Sequence, residues 1–260
     1  MNTTCALALA YDGSDFSGWQ HQPGRRTVQG ELESALGRLY GERVRAAGSG
    51  RTDAGTHALG QTAAFTAPRR YPPPVIHRAL SALLPADMRI LRCAEVADGF
   101  DPRRDALERT YEYYLLPGGS LFFSRYALIV NDALDWDKTA AAARFLEGRR
   151  DFAALGSPVR PGGSTVRELR RCLLQEARGC RRLTVTADAF LRRMVRTIIG
   201  CLLAVGRGRM TLEGLLRLLE SGERSRAPAA APAHGLFLAR VSYADFPYDP
   251  DPGPFGHLFG

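Results

Sequence analysis

Lysine is almost missing from this chain: Lys138 is the single one among 260 residues, so arginine carries nearly all the positive charge behind a net charge of +8. That scarcity excludes a surface of mobile ammonium groups. It leaves planar guanidinium forks, which suit phosphate oxygens and stack on bases. The composition favours a nucleic-acid partner, although arginine in place of lysine, with abundant alanine and glycine, is also what a GC-rich genome encodes. Paired cysteines are missing as well. Cys5, Cys93, Cys172, Cys180 and Cys201 are odd in number and contain no C-x-x-C pair, which supports neither a disulfide framework nor a zinc ribbon. They are expected to be reduced and mostly buried. No apolar run approaches membrane-spanning length, and the run Ala6 to Ala10 is too short for a leader's core and has no basic region before it. These absences predict a cytoplasmic protein that does not enter a membrane. With 45% hydrophobic residues the chain is expected to fold throughout, as one large or two modest domains.

What the sequence does have is a loop rich in chemistry. Gly48-Ser49-Gly50-Arg51-Thr52-Asp53-Ala54-Gly55-Thr56-His57-Ala58-Leu59-Gly60-Gln61 holds four glycines, which let a backbone come close to a ligand, beside a cation, a carboxylate and an imidazole. The apolar run Val44 to Ala47 precedes it and the strand-like Thr62 to Thr66 follows, so the charged residues are predicted at the ends of two strands. Thr-Asp-Ala-Gly is also ordinary turn chemistry. A metal-dependent hydrolase using Asp53 and His57 is a poor fit: on a glycine-rich loop the i, i+4 spacing fixes no common face, and no third ligand recurs nearby. No metal is expected.

Around that loop the first hundred residues read strand, helix, strand, strand, helix, strand. Cys5 to Tyr11 is the first strand and Thr27 the N-cap of a helix from Val28 to about Tyr40. Pro72 to Pro74 open a second helix to Leu84, and Met88 to Val96 returns as a strand. Phe16 and Trp19 are either core or RNA-facing, while Arg25 and Arg26, on a flexible segment, are candidates for phosphate contact. Further on, Glu108 to Leu116 is an aromatic, alternating strand. A helix runs from Asp135 to about Glu147 and is closed by Gly148 to Phe152, and strands span Thr165 to Glu176 and Arg181 to Ala187. A helix is expected from Ala189 to Val205, with Arg192, Arg193 and Arg196 on or near its polar edge. Thr211 caps another helix, Ala227 to Ala233 reads as a linker, and a last strand ends near Tyr243. The tail from Pro247 is expected to lie extended on the surface.

The fourteen-residue loop closely resembles the motif of the TruA family of tRNA pseudouridine synthases, G-x-G-R-T-D-A-G-x-H-x-x-x-Q, with every fixed position present. Y-D-G-S-x-F-x-G-W-Q from Tyr11, G-x-x-D-F from Gly148, the segment Phe190 to Gly200 and the G-L-x-L segment from Gly235 are similar to the same family, so the resemblance covers nearly the whole chain. It implies that Asp53 is the catalytic residue and that Arg196 pairs with it. Arg109 and Tyr111 match an arginine and a tyrosine two apart, the tyrosine lying against the target base, and Leu236 matches a leucine near that base. Thr197 departs from the asparagine common at its position. The implied fold is α+β: two ferredoxin-like α/β halves whose antiparallel sheets join, with the active-site cleft between them. Their expected bounds are 1–104 and 105–246, with 247–260 as a tail. The implied substrate is tRNA at anticodon stem-loop positions 38 to 40, gripped by a homodimer. Arg51, beside Asp53, is suited to entering the stem and supporting an extruded nucleotide. His57 either touches RNA or satisfies local backbone groups. An isomerisation exchanges no electrons with a second substrate and so needs no cofactor. The alternative from another class is a non-catalytic basic RNA-binding or tRNA chaperone protein, which explains the charge but not the carboxylate among the cations.

Overall fold

The computed structural model describes residues 3–158 and 160–259. In chain order its elements are β1 (Thr3–Tyr11), α1 (Val28–Tyr40), β2 (Ala46–Gly48), β3 (His57–Ala67), α2 (Pro73–Leu83) and β4 (Met88–Glu95), then β5 (Glu108–Pro117) and β6 (Leu128–Val130). They continue as α3 (Trp136–Phe145), β7 (Gly148–Asp151), β8 (Val166–Ala177), β9 (Cys180–Ala187), α4 (Met194–Gly206), α5 (Leu212–Ser221), β10 (Leu236–Ser242) and a terminal turn, α6 (Gly256–Phe259). Two compact units result, one of residues up to Arg109 together with Phe237–Leu258, the other Thr110–Leu236. The class is α+β. The division differs from the sequence bounds of 104 and 246, because the chain returns to the first unit at Phe237.

In the first unit the strand order is β4-β1-β3-β10, with β2 also on β3. β1 pairs antiparallel with β3 and β4, and β10 meets β3 in parallel through Phe237 opposite His57. The run β1-α1-β2-β3-α2-β4 is the split βαβ arrangement the sequence reading expected. Both faces of β1 are covered from Cys5 to Tyr11, which the alternating alanines Ala6, Ala8 and Ala10 permit by leaving one face thin. Thr27 caps α1 by accepting from the Gly30 N–H, and Gly41 ends it at φ 74°. Its buried stripe is Val28, Leu32, Ala35, Leu36 and Tyr40, one helical face.

In the second unit the order is β5-β9-β8-β7, with β6 parallel to β5. The core gathers around α4, where Val195, Ile198, Ile199, Leu202 and Val205 pack with Leu169, Val185, Phe152 and Leu215. Fully burying each such side chain contributes roughly 1.5–3 kcal/mol.

Four local expectations are corrected. The helix predicted from Ala189 begins only at Met194: Arg193 adopts a left-handed φ of 62°, and Arg192 forms an isolated bridge with Ser157. Of the three arginines assigned to that helix, only Arg196 lies within it. Gly148–Asp151, read as a helix end, is a strand paired antiparallel with Val166–Leu169. β3 starts at His57, so the second half of the glycine-rich stretch is strand. The tail is anchored: the Tyr248 hydroxyl donates to the Gly60 carbonyl at 2.6 Å and accepts from the Val241 N–H at 2.9 Å, and Phe255 is buried.

Candidate active site

The first unit builds a braced loop. Residues 49–56 join β2 to β3 and are tied down from both flanks. On one flank the segment after β1 grips it: the Trp19 N–H donates to the Thr52 carbonyl at 3.1 Å, the Gly55 N–H to the Phe16 carbonyl at 3.4 Å, and the Tyr11 and Thr52 hydroxyls bond at 2.8 Å. Glycine makes this approach feasible. A Cβ on Gly13 would lie 2.0 Å from the Thr56 carbonyl oxygen, and one on Gly48 would lie 2.5 Å from the Trp19 indole. On the other flank Gln61 stitches the loop: its amide donates to the Gly50 carbonyl at 3.0 Å and its oxygen accepts from the Ser49 hydroxyl at 2.6 Å.

Asp53 is half-buried at the turn of this loop, its carbonyl accepting from the Thr56 N–H at 3.1 Å, and Arg51 is exposed. The backbone under the carboxylate is therefore fixed before any ligand arrives, as positioning a reacting group demands. His57 is only 1% exposed. Its Nδ1 accepts from the Gly13 N–H at 3.0 Å, with an Asp12 carboxylate oxygen at 3.2 Å, and its ring stacks on Phe237. Of its two expected roles, the geometry carries the local one. Accepting at Nδ1 puts the neutral ring's proton on Nε2. Arg109 is buried too, and donates to the carbonyls of Ser49 at 3.3 Å and Arg103 at 2.5 Å. It braces the loop's entry and ties it to the Phe100–Asp105 segment, where Pro102 accepts from the Tyr243 hydroxyl. Burial holds that phenol's pKa well above its ordinary value.

The second unit holds the other three residues. Tyr111 is half-buried on β5 and meets Phe190 edge to face, ring centroids 5.1 Å apart. Arg196 lies in the first turn of α4, where its Nε donates to the Ala231 carbonyl at 2.7 Å and its own carbonyl accepts from the Ala231 N–H at 2.8 Å. An Nε bond fixes the guanidinium plane, a requirement for two-pronged pairing through the Nη groups. Leu236 opens β10 and is 5% exposed. Thr197, where the resembling family has asparagine, is fully buried; its hydroxyl donates to the Arg193 carbonyl at 3.0 Å and accepts from Arg224 at 2.9 Å.

Residues 7–103 and 142–244 match the model of a family described as tRNA pseudouridine synthase. The chain belongs to the tRNA pseudouridine synthase family. It is 41% identical over 244 residues to tRNA pseudouridine synthase A of Syntrophomonas wolfei, spanning 92% of this chain and 97% of that one. It is also 43% identical over 250 residues to the protein of the same name from Frankia casuarinae, 94% and 90% covered. The synthase from Methylacidiphilum infernorum is 40% identical over 240 residues, 91% and 94% covered. As a pseudouridine synthase this chain is an isomerase.

Sequence reasoning missed the braces of the synthase loop. Tyr11, Thr52 and Gln61 were visible only as fixed positions of the motifs, and Ser49, at a variable position, carries no signal by itself. Arg26, a candidate for phosphate contact, is already paired with acidic side chains. Its Nη atoms pair with both Asp87 oxygens at 2.7 and 2.8 Å, its Nε with Glu31 at 3.2 Å, and it covers the Phe16 ring. The Asp87 bond, followed by that to Glu31, raises its pKa. Among the described residues no group of three or more His, Cys, Asp or Glu side chains could hold a metal, and no helix is long and apolar enough to cross a membrane.

Proposed function

We propose that this chain converts uridine to pseudouridine in the anticodon stem-loop of tRNA, at positions 38 to 40, with Asp53 as the reacting carboxylate. The reaction breaks the bond from N1 to C1′, turns the uracil and rejoins it through C5. The hydrogen lost from C5 is balanced by one gained at N1, so no redox partner is consumed. Such a step needs a fixed carboxylate and a pocket that retains the free base. The observation that carries this reading is Asp53 on a loop braced through Trp19, Tyr11, Gln61 and Arg109. Attack at C1′, addition at C6 and abstraction at C2′ are all open to that carboxylate.

The other roles rest on the family resemblance. Arg196 pairs with the carboxylate and keeps it ionised when the base excludes water; Tyr111 and Leu236 lie against the uracil. Arg51, exposed beside Asp53, supports the extruded nucleotide, so Arg51→Ala recovers part of its loss on an RNA whose target uridine lies in an open loop. Equal loss on stem and loop substrates would remove that role. The working form is a cytoplasmic homodimer that grips one tRNA.

The test is Asp53→Asn. Pseudouridine mapped in tRNA after incubation falls to background, while tRNA affinity stays within about tenfold because phosphate contacts dominate binding. Turnover by the variant would remove Asp53 from the reaction. Tight tRNA binding with no product from the wild-type protein would favour the non-catalytic RNA-binding alternative.

A further inference from the structure

The segment between α5 and β10, whose Ala/Pro-rich part composition marks as a linker, is tied along its length first to α4 and then to Tyr113 of β5. Arg224 donates to the Thr197 hydroxyl at 2.9 Å. The Ala229 carbonyl lies against the bare Cα of Gly200, where an added Cβ would be 2.2 Å from its oxygen. Ala231 exchanges two hydrogen bonds with Arg196, at 2.7 and 2.8 Å. Pro232 accepts from the Tyr113 hydroxyl at 3.0 Å, and Gly235 packs on the Tyr113 ring, where a Cβ would approach to 2.8 Å. The segment then delivers Leu236, the first residue of β10.

The sequence suits this path. Pro228 and Pro232 restrict the unfolded chain, so less entropy is lost on ordering it, and Ala227, Ala229, Ala230 and Ala231 are small enough for backbone to touch helix at Gly200. Thr197 works at both ends of the anchor. It receives Arg224, and it donates to the carbonyl of Arg193, the left-handed residue that starts α4. A non-glycine residue in that conformation is strained and persists where neighbours hold it.

We propose that Arg224–Leu236 is a positioning strap: anchored by Arg224 on Thr197, it sets the guanidinium plane of Arg196 through Ala231 and fixes Leu236 with the same stretch of backbone. Arg224 and Thr197 are therefore positioning residues of the synthase, acting through Arg196. The proposal rests on the reading of Arg196 as the partner of the reacting carboxylate. An arginine side chain is long and rotamer-rich, and misplacement of a reacting geometry by about 1 Å costs on the order of a hundredfold in rate. A tether at Nε is a direct way to prevent that.

The experiment measures single-turnover rate at saturating tRNA, tRNA affinity and thermal midpoint for Thr197→Val, Thr197→Ser, Arg224→Met and Arg196→Lys, and for the first and third combined with Arg196→Lys. Thr197→Val and Arg224→Met each slow the chemical step by about tenfold, with tRNA affinity within about twofold, because they disturb orientation and not phosphate contact. Thr197→Ser keeps the hydroxyl and restores the rate to within about threefold. In the Arg196→Lys background the further loss shrinks below about twofold, since residues acting through one another are not additive. Arg196→Lys at the wild-type rate would overturn the assignment of Arg196, and the strap's role with it. A slow Arg196→Lys beside Thr197→Val and Arg224→Met at full rate would overturn the strap alone, as would losses that multiply fully in the double variants. If Thr197→Val does not fold, Arg224→Met, at a half-buried position, decides the same question.

Discussion

The backbone N–H of Trp19 donates to the carbonyl of Thr52 at 3.1 Å, one peptide before Asp53. Residues 33 positions apart thereby hold the bond that aims the carboxylate. Trp19 has little freedom to move, since its own carbonyl accepts from the Gln29 N–H at 3.0 Å and its side chain is 2% exposed.

A methyl group added at Gly48 therefore meets a fixed indole, 2.5 Å away. Gly48→Ala should destabilise the protein by about 1–3 kcal/mol, the usual cost of overpacking, and slow pseudouridine formation as the loop shifts. Ala47→Ser, on the exposed neighbour, is the control. Denaturant midpoints and single-turnover rates check both; an unchanged midpoint for Gly48→Ala would mean that Trp19 yields.

The tail offers a second test. Removing the Tyr248 hydroxyl leaves the Gly60 carbonyl and the Val241 N–H without their partner in a buried setting. Tyr248→Phe should cost about 1–3 kcal/mol, read from urea unfolding. A loose surface tail would show no change.

Arg25 and Arg26 are neighbours with different expected effects on RNA binding. Both are exposed, but Arg26 already has Asp87 and Glu31 around its guanidinium. Arg25→Ala should flatten the slope of log affinity against log salt by about one unit if it meets a phosphate. Arg26→Ala should leave that slope alone and lower stability by about 1 kcal/mol or less. The reverse pattern would show that Arg26 leaves its acidic partners for RNA.

The thiols set a pH limit. Burial, then the proximity of Cys5 and Glu95, pushes Cys93 up to about 12 from 9.0, and burial, then Glu95, pushes Cys5 to about 11. Burial raises Cys201 to about 12 and Cys180 to about 11. A folded pKa above the unfolded one means that the unfolded chain gives up its protons first. The contribution to stability is complete below pH 9.0 and is lost as pH rises through 11 to 12. Urea midpoints should fall steadily above pH 9, and iodoacetamide at pH 8 should label the native protein far more slowly than the unfolded one. Rapid native labelling of Cys93 would contradict this.

The sequence alone determined what depends on short spacings. Thr27 followed by one apolar stripe and Gly41 is a complete local instruction for α1, because cap, face and stop all lie within a few turns. Asp53 and Arg51 could be named because their motif is contiguous. Tertiary structure decided what depends on partners far along the chain. His57 and Arg109 carry the same functional groups whether they face RNA or brace a loop; Gly13 and the carbonyls of Ser49 and Arg103 settled which bonds they make. Arg193 has the helical periodicity of its neighbours, yet α4 starts only after it, because Arg192 bridges to Ser157 and Arg193 turns left-handed. Ala227 to Ala233 reads as a linker because alanine and proline announce no partner of their own. Its ties to Arg196 and Gly200 run mostly through backbone atoms, which every residue possesses and no sequence pattern distinguishes.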